Sequence, residues 1–203
     1  MTLIRAVIFD FGGVLVRTED RTSRNRLAAR LDMSYDELNS LVFDSPSALQ
    51  ATLGQISASE HWEAVRLRLR LSPEEFQTAQ EEFWAGDILD TGLVDLLRAL
   101  RPRYQTGMLS NAWSDLRGLL EQRVKILDAF DQVIISAEVG LMKPDERIFH
   151  LALERLGVPP GEAVFVDDFA QNVDGARSAG LHAIHFRSAD QARAELEQML
   201  NGR

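Results

Sequence analysis

No cysteine occurs in the 203 residues, which removes disulfides, thiolate metal sites and cysteine nucleophiles from consideration. No apolar run approaches the ~20 residues that a membrane-spanning helix needs. The first nine residues lack a signal-peptide apolar region, because such a run would have to pass through Asp10. The expected location is therefore cytoplasmic, with no membrane partner. A surplus of positive charge is also missing, since 22 Lys and Arg stand against 31 Asp and Glu, a formal net charge of -9. With no basic run to offset that balance, nucleic acid is not an expected partner. There is no internal repeat and no low-complexity segment. What is present, 45% hydrophobic and 26% charged residues, is an ordinary globular composition in a chain long enough to bury a sizeable core.

The stretch that organises the rest is Ala6-Val7-Ile8-Phe9-Asp10-Phe11-Gly12-Gly13-Val14-Leu15. Four apolar residues, three of them β-branched or aromatic, fit a strand buried on both faces. Asp10 follows at its end, and two glycines then allow a sharp turn at positive φ and a close approach to a ligand. An acid at this point lies where open α/β sheets bind ligands, at the carboxyl edge. Taken alone, an aspartate in such a turn is more often a turn cap.

From about Arg17 to Gly86 no strand is evident and helix-start signals recur. Ser34 with Glu37, Ser57 with Glu60 and Ser72 with Glu75 read as capping boxes, and Pro73 sits at a first helical position. Val65 to Leu71 alternates with period 2 like a strand, yet Trp62, Val65 and Leu69 also share a helical face, and the Ser57 cap favours helix. The block reads as an insertion of four or five helices. Beyond Asp90 helices and strands alternate. Strands are expected at Tyr104–Leu109, Val133–Ile135, Ala163–Val166 and Ala183–Phe186. Helices are expected between them, including one over about 114–127 and one starting near Asn172. This alternation argues for a parallel, doubly wound α/β sheet.

Asp10, Ser110-Asn111 and Asp167-Asp168 each follow a strand, and Lys143 lies in a loop just after another. All the carboxyl ends of a parallel sheet face one edge, so these groups can converge. Several carboxylates at one edge repel unless a cation sits among them, and hard oxygen ligands without Cys or His favour Mg²⁺. A metal with Lys143 and a hydroxyl makes a cradle for a phosphate dianion. His61, His150, His182 and His185 show no ligand spacing and read as structural. Trp62 and Trp84 read as core of the helical insertion. Trp113, just after Ser110-Asn111, reads either as core or as lining an entrance. Arg17, Thr18 and Glu19 are open between substrate contact and solvated linker.

With these residues in place the chain resembles the haloacid dehalogenase (HAD) superfamily. Its four motifs look like Phe9-Asp10-Phe11-Gly12-Gly13-Val14, Leu109-Ser110-Asn111, Lys143-Pro144, and Val166-Asp167-Asp168 with Asn172 beyond. Four motifs in order are far more specific than any one of them. The branch most resembled is that of the epoxide hydrolase N-terminal phosphatase and the bacterial sugar-phosphate phosphatases. The resemblance implies a Rossmann-like five-stranded core over 1–16 and 87–203, in strand order 3-2-1-4-5, and a helical cap over 17–86. It implies Asp10 as nucleophile, forming an aspartyl-phosphate that water hydrolyses. Ser110 and Asn111 would hold the phosphoryl group and Lys143 would neutralise charge on it and on Asp10. Asp10, the Gly12 carbonyl and Asp168 would bind Mg²⁺, while Asp167 and Asn172 would orient Lys143, metal-bound water or the neighbouring loop.

One position departs from that pattern. Most family phosphatases carry a second Asp two residues after the nucleophile, to protonate the leaving oxygen, and here that position is Gly12. The expected function is Mg²⁺-dependent hydrolysis of a small phosphorylated metabolite. Two alternatives stay open: a C–X hydrolysis of the dehalogenase type, and a non-catalytic binding or regulatory protein that kept the fold. The Asp167-Asp168 pair favours the phosphatase, because dehalogenases of the family place small polar residues there. Neither the substrate nor the oligomeric state is legible.

Overall fold

Ala6–Phe9 forms strand β1, and all four of its residues are fully buried. It lies at the centre of a sheet in a computed structural model that describes residues 3–201. The other strands are β2 (Val16–Thr18), β3 (Asp87–Leu89), β4 (Gln105–Ser110), β5 (Gln132–Ile135), β6 (Ala163–Asp167) and β7 (His182–His185). Five of them make a parallel sheet in the order β5-β4-β1-β6-β7, which in the numbering of the core strands alone is the expected 3-2-1-4-5.

Alternate residues of the central strands enter two separate cores, as a sheet covered on both faces requires. Val7, Phe9, Met108, Val164 and Val166 pack with Leu93 and Leu97 of the helix Thr91–Leu100 and Leu196 of the helix Ala189–Leu200. Ala6, Ile8, Leu109 and Phe165 pack with Phe149 and Ala152 of Glu146–Leu156 and with Val173 of Ala170–Ser178. The last of these helices starts two residues before the expected Asn172.

Five helices fill most of the insertion: α1 (Thr22–Arg30), α2 (Tyr35–Phe43), α3 (Pro46–Thr52), α4 (Ala58–Leu69) and α5 (Pro73–Trp84). All three capping boxes form, each with the serine hydroxyl accepting from the N3 amide and the N3 glutamate accepting from the serine amide. The passage Val65–Leu69 is helical, and Arg70 ends α4 in the left-handed conformation. Leu27, Leu38, Val42, Val65, Phe76 and Phe83 share a third hydrophobic cluster. The outermost positions of the expected core, 1–2 and 202–203, lie outside the described residues.

Two features differ from the sequence reading, and a third decides between readings left open there. First, β2 and β3 pair antiparallel where the chain leaves and re-enters the core. Arg17 there donates to Val14 O (2.6 Å) and to Asp90 (2.9 Å), and Thr18 to Asp87 (2.6 Å). Their side chains tie the two crossing strands together rather than standing in solvent. Second, the helix expected over 114–127 is only Leu116–Gly118 followed by a wider π-type turn, Leu119–Arg123. Lys125 at positive φ stops it, and the chain turns so that Leu120 and Ile126 are both buried. Third, Trp113 packs into the cluster of the insertion, its ring centroid 4.5 Å from that of His61 and 5.2 Å from that of Trp62. Trp84 is less enclosed than a core residue, at 38% exposure.

Trp113 and the Ser114 hydroxyl, which accepts from the first amide of α4 (3.2 Å), bring the insertion onto the loop after β4. Gly54 lies so close to the Ala137 carbonyl beyond β5 that a Cβ would overlap it. The insertion therefore rests on loops at the carboxyl edge of the sheet. Among the described residues no helix is long and apolar enough to cross a membrane.

Candidate active site

The sheet register brings the predicted residues to one place. Phe9 of β1 is level with Met108 of β4 and Val166 of β6. Asp10, Ser110 and Asp167 thus fall within two residues of one line across adjacent strands. The Asp10 amide donates to Val166 O (2.9 Å), which extends the ladder to the carboxylate itself.

Lys143 is the pivot. Its side chain is 1% exposed, and its Nζ lies 2.9 Å from Asp10 Oδ1 and 2.6 Å from Asp167 Oδ2. Asp10 Oδ1 also accepts from the Phe11 amide at 2.7 Å. Asp167 is fully buried and fully partnered, accepting further from the Phe169 amide (2.8 Å) and from Asn172 Nδ2 (3.1 Å to each oxygen). Asn172 therefore holds Asp167, which in turn holds Lys143.

Asp168 differs from its neighbour, because its Oδ1 is buried with no hydrogen-bond partner. An oxygen of Asp10, of Asp167 and of Asp168 can be chosen so that all three lie within 4.8 Å of one another. Asp167 spends its oxygens on Lys143, Phe169 and Asn172, so Asp10 and Asp168 are the pair with capacity for a cation. One ammonium faces three carboxylates. Burial, foremost, and the charge of Asp167 push Asp10 up, against the pull of Lys143; Asp168 is raised by burial and then by Asp167. An orphaned carboxylate oxygen in an oxygen-only, electron-rich cluster fits a divalent hard cation.

The glycine turn is built differently from the reading of two equivalent glycines. Only Gly13 has positive φ (+79°), and a Cβ on it would overlap the Asp168 carboxylate. Gly12 is not at positive φ, and a Cβ there would meet nothing within 4 Å. Gly13 is thus required for the close approach to Asp168, whereas Gly12 leaves open space beside Asp10.

Ser110 is buried at the end of β4. Asn111, expected at the phosphoryl group, binds the main chain of Lys143: its Nδ2 donates to Lys143 O and its Oδ1 accepts from Lys143 N, each at 2.8 Å. Two residues that carried no motif signal also belong to the site. Ser136, fully buried, binds both main-chain groups of Ala112, accepting at 2.9 Å and donating at 3.1 Å. Phe169, beside Asp168, is 64% exposed. A lone serine after a strand and a lone phenylalanine give no periodic or spacing signal that would single them out.

A family model described as hydrolase, haloacid dehalogenase-like hydrolase, matches residues 4–180. Bifunctional epoxide hydrolase 2 of Sus scrofa is 28% identical over 97% of this chain and 39% of that protein. The chain spans only 24% of the same enzyme of Rattus norvegicus, at 31% identity over 63% of the chain. D-ribitol-5-phosphate phosphatase of Bacteroides thetaiotaomicron is 25% identical over 98% of this chain and its whole length. Among solved structures, a HAD family enzyme of Bacteroides thetaiotaomicron in complex with magnesium and inorganic phosphate superposes with a TM-score of 0.74. It is 23% identical, covering 92% of this chain and 96% of that one. With a family model matched from β1 to beyond the Asp167-Asp168 strand, the chain belongs to the haloacid dehalogenase-like hydrolase family.

Proposed function

We propose that the protein is a Mg²⁺-dependent phosphatase of a small phosphorylated metabolite, working through an aspartyl-phosphate on Asp10. The observation that carries the reading is the charge arrangement at the sheet edge. A single buried lysine is paired with two of three clustered carboxylates, and the third has an unpartnered buried oxygen. Phosphatases among the relatives and a magnesium–phosphate complex in a structural neighbour support it.

Asp10, the Gly12 carbonyl and Asp168 are the residues to hold the ion. Bound there, it supplies positive charge for the phosphate oxygens and for the two carboxylates. Asp10 attacks phosphorus, a bond forms from its carboxylate oxygen, and the bond to the leaving oxygen breaks with its electron pair. Lys143 stays beside the new acyl-phosphate and offsets charge that grows on its oxygens. The Ser110 hydroxyl donates to the transferred group. Water then attacks phosphorus and gives up a proton to solvent as phosphate forms, and the bond to Asp10 breaks with its electron pair left on the carboxylate. Position 12 offers no carboxyl to protonate the leaving oxygen, so that oxygen departs as its anion and takes a proton from solvent after release. Residues 17–86 act as a cap that excludes bulk water during the first step.

A screen of phosphorylated metabolites with and without Mg²⁺ tests the reading. Turnover should vanish with EDTA and fall to background in Asp10→Asn, whose amide is a poor nucleophile. Robust turnover of haloacids in metal-free buffer would instead establish the C–X hydrolase. Tight binding of phosphate esters without turnover would establish the non-catalytic protein.

A further inference from the structure

We propose that the Asn111 side chain is a positioning group that acts through the main chain of Lys143 rather than by binding the phosphoryl group itself. The proposal rests on the phosphatase reading for its kinetic consequence, but not for its structural one. Asn111 and Lys143 are 32 residues apart and belong to loops that follow different strands, β4 and β5. Their pairing is a closed ring: the amide nitrogen donates to Lys143 O, and the amide oxygen accepts from Lys143 N, both at 2.8 Å. Only one orientation of the amide satisfies both partners. The ring uses one Nδ2 hydrogen and one Oδ1 lone pair and fixes the plane of the amide against the Lys143 peptide groups.

The need for such a ring follows from where Lys143 sits. It lies outside any helix or strand, between Ser136–Val139 and Glu146–Leu156, so no ladder pairs its peptide groups. Buried main-chain groups must find partners, and Asn111 supplies both. The lysine stem is flexible, and its Nζ is useful only between Asp10 and Asp167 and beside the Phe165 ring, 5.2 Å from the centroid. Fixing the Lys143 backbone fixes where that stem begins. The next residue repeats the device, since Ser136 brackets Ala112 through both of its main-chain groups. The loop after β4 is thereby tied at Asn111 to Lys143 and at Ala112 to Ser136.

Two measurements test this. In a double-mutant cycle with Lys143→Met, Asn111→Ala alone should lower kcat by up to about 10²-fold with KM changed far less, the scale of a small misplacement of a catalytic group. In the Lys143→Met background the same substitution should cost nothing more, because its effect passes through Lys143. A full additional loss there would make Asn111 a direct phosphate ligand and overturn the proposal. Hydrogen exchange read at single amides needs no turnover and covers the case in which Lys143→Met does not fold. Asn111→Ala should speed exchange of the Lys143 amide while the β1 and β4 amides stay protected. An unchanged Lys143 amide would refute the clamp. Absence of phosphatase activity with a deprotected Lys143 amide would leave the clamp standing and refute only the phosphatase reading.

Discussion

Lys143 brings one positive charge to three carboxylates, and that imbalance sets the behaviour of the site. Asp10 and Asp168 are both raised above the ordinary 3.8 by burial, so the metal-free folded state holds protons that the unfolded chain releases. Their contribution to stability is present at low pH and is lost as pH rises from about 4 through the raised values. A bound cation needs the ionised carboxylates, so it recovers that loss at the upper end. The rise in Tm caused by Mg²⁺ should therefore grow from pH 5 to pH 8, as read by thermal unfolding with and without the ion; a constant or shrinking rise would contradict the assignment of Asp10 and Asp168. Gly12 gives the second prediction at this scale. Its Cβ position is open and its φ ordinary, so Gly12→Asp is sterically admitted. Wild-type kcat/KM should fall steeply as the leaving group becomes more basic. Gly12→Asp should flatten that slope, with alkyl phosphates gaining about 10²-fold or more, the usual worth of a general acid. Rates of both proteins across a series of aryl and alkyl phosphates check this, and a flat wild-type profile would mean that another group supplies the proton. Asp10, Ser110-Asn111 and Asp167-Asp168 were legible because each lies at the end of a strand, whereas Lys143, beyond the short helix Ser136–Val139, was legible from its Lys-Pro context and its place in the motif order. The partner of Asn111 was not, because a side chain that binds a backbone 32 residues away leaves no trace in local spacing.

At the scale of elements, local signals and long-range ones fared differently. The boxes at Ser34, Ser57 and Ser72 were readable because donor and acceptor lie three residues apart, and all three form. Ser57→Ala removes the hydroxyl that accepts from the Glu60 amide at 3.2 Å and should cost about 1 kcal/mol of stability, measured by urea unfolding. The buried strands were readable from runs of β-branched and aromatic residues. The β2–β3 ribbon was not, since each strand is three residues long and its pairing spans some seventy positions. Arg24 was also hidden: charged in the sequence, it is buried against Phe83, 4.0 Å to the ring centroid, and paired with Asp87 at 3.0 Å. Trp113 follows the same rule, because only the docked insertion reveals which cluster the ring joins.

Across the whole molecule the parallel sheet does the assembling. Its order places β1 between β4 and β6, and three distant segments then deliver Asp10, Ser110 and Asp167-Asp168 to one edge. The insertion leaves the chain just after Asp10 and rests on the loops beyond β4 and β5, above that edge. This arrangement leads to the central claim, that Asp10 takes the phosphoryl group. Cleavage after Arg5 and Arg17 releases residues 6–17, a peptide whose one carboxylate side chain is that of Asp10. The most direct measurement is mass spectrometry of this peptide after acid quench of protein turning over a phosphate ester with Mg²⁺. An added phosphoryl group is expected on residues 6–17, absent without the ion and absent in Asp10→Asn. Turnover that leaves this peptide unmodified in the steady state and in a single rapid-quench turnover would contradict it.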